Sequence, residues 1–183
     1  MVYPFMGLSN KKRKNVFLLM LISTLSIMAI LYMVGKPLEN RQAPYGIISF
    51  ELAGTVSQVS EILSSWDANA RIQAGFSLGF DYLYMVFYSI TIALACVWAG
   101  KDLGKRGPIL FVIGILLAWG QFLAAGIDAV ENLALTKMLF GVVQVPWPEV
   151  ARVCALVKFS LILLGIVYAF FGLTLHFFHP AKS

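Results

Sequence analysis

Long apolar runs separated by short polar breaks dominate the chain. Val16–Val34, Ala74–Ala99, Ile109–Ile127 and Val150–Phe178 are each long enough to cross about 30 Å of hydrocarbon at about 1.5 Å per helical residue. With the third run continued to residue 135, they predict an all-α polytopic membrane protein: a bundle of four transmembrane helices at 16–34, 74–99, 109–135 and 150–178 within a single integral domain, 1–183. Between the first two runs the period changes. Ile48, Leu52, Val56, Val59, Leu63 and Trp66 recur at helical spacing, with serines and Glu61 elsewhere on the wheel. This predicts an amphipathic helix over 47–66, lying at the extracytoplasmic interface or capping the bundle, with Trp66 at headgroup level and Glu51 beside the stripe.

The spanning runs are not uniformly apolar, and their polar residues do not scatter. Ser77, Asp81, Tyr84, Tyr88 and Thr91 step by four and three, so they share one stripe of a helix. Gly114, Ala118, Gln121, Ala125, Asp128 and Asn132 do the same in the third run, with Glu131 beside them. Cys154, Lys158, Leu161, Gly165, Tyr168 and Gly172 repeat the pattern in the fourth. Seams of small and polar residues in lipid are ordinarily helix contacts. The first run carries only Ser23, Thr24 and Ser26, small enough to bond their own backbone, and is assigned to packing.

Depth turns the seams into a site. Counted from the inner ends of their helices, Asp81, Asp128 and Lys158 lie roughly 30, 30 and 27 Å along, at one level. A carboxylate facing hydrocarbon is expensive, so Asp81 is expected to find a partner there. The candidate ligand-binding residues are Asp81, Tyr84, Tyr88, Gln121, Asp128, Glu131, Asn132, Arg152 and Lys158, with Glu51 and Trp66 as a lid. Three carboxylates, or four with Glu51, face two cations, an imbalance that keeps a proton on one acid or recruits a cationic or hydroxyl-bearing ligand.

Composition agrees with the membrane reading: 60% of the 183 residues are hydrophobic and 13% charged. The net +5 is sided rather than spread. Lys11, Lys12, Arg13, Lys14, Lys101, Lys105, Arg106 and Lys182 fall on one face with Asp102, which predicts both termini cytoplasmic in a plasma or bacterial inner membrane. Such a balance does not indicate nucleic acid. Cys96 and Cys154 fall at opposite ends of their helices, too far apart for a disulfide. His176 and His179, without counterparts on a facing helix, do not make a haem site, and neither a cofactor nor a metal is expected.

These features predict a small membrane protein that binds a lipid or small amphiphile at an outer-leaflet polar pocket, with membrane lipids and a partner membrane protein or second copy as its company. The alternatives are an intramembrane enzyme using Asp128 or Glu131 as general acid or base, and a purely structural subunit. No nucleophile motif, phosphate loop or metalloprotease motif supports the enzyme, so no catalytic residue is assigned.

Overall fold

The computed structural model describes residues 2–178, with side chains through residue 175. His179 and Lys182 lie outside the described residues, as does the side chain of His176. Six α-helices follow in order: α1 (Asn10–Gly35), α2 (Ile47–Glu51), α3 (Val56–Ser65), α4 (Ala68–Gly104), α5 (Pro108–Leu139) and α6 (Trp147–Phe178). No strand occurs among the described residues. α1, α4, α5 and α6 are each long and apolar enough to cross a membrane.

The helix ends follow from capping chemistry. Ser9 Oγ accepts from Lys12 N at the start of α1, Thr55 Oγ1 from Gln58 N at α3, and Asp67 Oδ1 from Ala70 N at 2.7 Å at α4. Asp67 thus starts α4 six residues before the apolar run at Ala74 begins. Pro108 opens α5, where a missing N–H costs nothing. At the end of α3, Arg71 covers two leftover carbonyls, donating to Trp66 O and to Leu63 O.

The chain packs as two compact units. The first comprises the chain up to Thr24, Val86–Ala125 and the chain from Phe159; the second comprises Leu25–Met85 and Gly126–Lys158. In the first unit the small-residue seams are sites of close approach. A Cβ on Gly114 would stand 2.9 Å from Gly100 Cα and 2.7 Å from Tyr168 Oη, so α4 and α5 touch backbone to backbone there. Tyr168 donates to Leu110 O at 2.5 Å, and Cys96 Sγ to Gly165 O at 3.4 Å. Thr24 bonds Met20 O of its own helix and meets Thr91 at 3.3 Å. Cys96 and Cys154 are both free thiols.

The second unit has a core of Leu38, Phe50, Val59, Leu63, Trp66, Leu135 and Met138 with the alanines between them. Here the segment 47–66 departs from a single amphipathic helix. It is two helices, broken over 52–55, with Gly54 at φ +67°. The break changes the phase of the wheel. Ile48, Leu52 and Val56, placed on the apolar stripe by a continuous period, are exposed, whereas Phe50 and Glu51 are buried. Trp66 is not a headgroup anchor: it is 3% exposed, donates Nε1–H to Leu38 O at 2.9 Å and meets Phe50 edge-on. An indole with a satisfied N–H inside an apolar core gains more from burial than from the interface.

Candidate functional site

Ionisable side chains gather inside the second unit. Asp128 and Glu131 lie three residues apart on α5, on neighbouring turns of one face, and both point at Lys158 of α6. Lys158 Nζ is 2.7 Å from Asp128 Oδ1 and 3.0 Å from Glu131 Oε1, and both contacts are buried. Glu51, at the last residue of α2, brings Oε2 to 3.7 Å from the same ammonium. The break after Glu51 aims it: α2 stops there, and the turn through Gly54 sends α3 elsewhere.

Asp81 joins through an amide. Asn132 Nδ2 donates to Asp81 Oδ2 at 2.8 Å and to Leu78 O at 3.3 Å, tying α5 to α4. Tyr82 Oη adds a longer bond to Ala129 O between the same helices. Burial is graded across the cluster. Glu131, Asn132, Asp128 and Lys158 are buried, while Asp81 is only partly so and forms its accessible end.

Three carboxyl groups therefore stand within 4 Å of one ammonium, and a fourth, Asp81, joins them through Asn132. Lys158 has three N–H donors, two of them on Asp128 and Glu131, so it cannot also serve every remaining carboxylate oxygen. Glu51 Oε2 and Glu131 Oε2 are buried without a hydrogen-bond donor among the described residues, and so is Ser77 Oγ, one turn before Asp81 on α4. Burial above all raises the Glu51 carboxyl, to about 7, with Lys158 opposing the rise and Asp81 and Asp128 adding to it. A full set of ionised acids is too much negative charge for one lysine in a dry interior.

The other sequence candidates fall differently. Tyr84 is half-buried on α4, close to one turn from Asp81. Arg152 is exposed on α6, its guanidinium lying over Gly54. Tyr88 and Gln121 belong to the first unit, each about two turns along its helix from Asp81 or Asp128. Gln121 Nε2 is occupied there, bonding Leu117 O and Leu161 O. Trp66 is a core residue, as described above, and of the lid pair only Glu51 reaches the ions. Among the described residues no group of three or more His, Cys, Asp or Glu is arranged to hold a metal ion. Lys158 Nζ itself sits where the carboxylates converge.

A shallow groove of about 460 Å³ runs along the outer face of α3, lined by Gln42, Ser57, Ser60, Glu61, Ser64 and Ser65. Ser57, Ser60, Glu61 and Ser64 are residues that the helical period sets off the apolar stripe. No family model, curated protein or solved structure matches the chain.

Proposed function

We propose that this is a small integral membrane protein that binds a lipid or small amphiphile through the carboxyl cluster of its second unit. The observation that carries the reading is the surplus of acids: Glu51, Asp128 and Glu131 within 4 Å of one buried lysine, with Asp81 joined to them through Asn132. A headgroup bearing N–H or O–H groups supplies the missing donors, and the apolar chain of an amphiphile suits the apolar surface of the surrounding helices. Asp81 is the point of entry because it alone among the four acids is partly exposed. The distribution of Lys and Arg supports a site on the outer leaflet with both termini cytoplasmic, in a plasma or bacterial inner membrane.

Native mass spectrometry of protein extracted in native-lipid discs tests this. Wild type should retain a discrete amphiphile, and Asp81→Asn, which keeps the side-chain shape, should lower its occupancy about tenfold, or about 1.4 kcal/mol. Identical bound species and occupancy in the two proteins would remove the reading. It would favour a structural subunit, in which the Lys158 pairs serve only to hold α5 against α6.

A further inference from the structure

Glu51 reaches the cluster from outside the long helices, on the five-residue α2. Its carboxyl faces charged groups from every long helix packed against it: Asp81 of α4, Asp128 and Glu131 of α5, and Lys158 of α6. Lys158 is the one cation among them, and at 3.7 Å it is too far to donate a hydrogen bond to Glu51 Oε2. The Glu131 carboxyl converges on the same ammonium, at 3.0 Å, and so stands beside that of Glu51. Neither carboxylate has a hydrogen of its own to offer. A hydrogen bond between them exists only when one of them is a carboxylic acid, and two bare carboxylates at that range repel.

We propose that Glu51 and Glu131 form a proton-binding site, a carboxyl–carboxylate pair that holds one proton and so fastens α2 to α5. The ligand is H⁺ itself. It adds to one carboxyl oxygen and leaves from it, with no other bond made or broken. The site does not depend on an amphiphile being bound, since both partners belong to the protein. Three observations converge on it: the two acids meet at one ammonium, each has a buried Oε2 without a donor, and Lys158 lies closer to Asp128 and Glu131 than to Glu51. Burial also raises the hold of the Glu51 carboxyl on its proton, in the same direction as the geometry. Release of the proton leaves α2 held by the longer contact to Lys158 and by its apolar residue Phe50.

Infrared difference spectroscopy on delipidated full-length protein reads this directly, through the carbonyl stretch of a protonated carboxyl and its shift in D₂O. Wild type should show the band at about pH 6 and lose it as the pH is raised into the alkaline range. Glu51→Gln and Glu131→Gln should each abolish it, because a glutamine amide makes the contact without a titrating proton. Glu61→Gln, on the exposed face of α3, should leave it unchanged. If either cluster variant fails to fold, wild type labelled with ¹³C in its glutamate carboxyls decides, since the band must then move with the label. Absence of a protonated-carboxyl band at about pH 6, its survival in both variants, or its indifference to the label overturns the proposal. Failure of lipid binding would leave this result untouched, so the two claims fail separately.

Discussion

Lys158 Nζ lies 2.7 Å from Asp128 Oδ1, joining α6 to α5 in a place where both side chains are almost wholly enclosed. An ion pair so buried adds little net stability compared with apolar residues of similar size, but breaking it by removing one partner is costly. Here removal of the lysine is worse than usual, because two further carboxyls, Glu51 and Glu131, lose the cation they share.

Lys158→Met should therefore destabilise the protein by about 3–5 kcal/mol, seen as a lower midpoint of thermal or denaturant unfolding in detergent. Adding Asp128→Leu should recover part of the loss, since it removes one of the stranded acids. A double-mutant cycle measures that coupling, and strict additivity would show that the two residues do not interact.

The pH dependence has a definite sign. The Glu51 carboxyl binds its proton more tightly folded, at about 7, than the ordinary value of 4.5. The folded state therefore holds more protons between the two values, and stability falls as pH rises. Thermal midpoints should decline from about pH 5 to about pH 7 and then level off, as far as this group is concerned. Glu51→Gln should flatten that slope. A midpoint that rises over the same window, with the variant tracking wild type, would contradict the assignment.

Gly54 combines a left-handed backbone with a covering side chain. At φ +67° an L residue is strained, and a Cβ would stand 2.6 Å from Arg152 Cδ. Gly54→Ala should cost about 1 kcal/mol or somewhat more, the arginine being exposed and able to swing away. Differential scanning calorimetry of wild type, Gly54→Ala and the double variant with Arg152→Ala separates the backbone share from the side-chain share.

Gly114 has no such relief. Its neighbours are Gly100 Cα and Cys96 O, which are backbone, and the Tyr168 hydroxyl. Gly114→Val should destabilise by about 1–3 kcal/mol through overpacking, and Gly126→Ala, which has open space around it, should be neutral. Equal midpoints for the two variants would show that α4 and α5 do not approach closely at Gly100 and Gly114.

The site was partly legible in the chain because helix geometry is rigid. Once Asp81, Asp128 and Lys158 sit at matching counts along three long helices, a fixed rise per residue makes their depths agree, and the (i, i+3) spacing of Asp128 and Glu131 puts both on one face. Asn132 follows for the same reason. Glu51 was harder to place, since its position depends on a chain break. A hydrophobic wheel drawn through 47–66 assumes one axis, and the turn at Leu52–Thr55 resets it, bringing Phe50 and Glu51 inward and leaving Ile48, Leu52 and Val56 outside. Gly54 was the available signal, a residue suited to a left-handed turn in the middle of a helical pattern. Trp66 misled for a different reason: an interfacial preference is a tendency of tryptophan, and Leu38 O offers its N–H a partner that sequence spacing does not reveal. Tyr88 and Gln121 share their stripes with Asp81 and Asp128, but a stripe says nothing of where along it a site ends.

On the proposed function, the carboxyl cluster of the second unit receives a ligand headgroup at its Asp81 end. An experimental density map of the protein in a lipid environment tests it most directly. Density from a non-protein molecule should lie in contact with Asp81, with its donors directed toward the acids around Lys158. A map in which Asp81 meets only protein atoms and bulk lipid tails would contradict it.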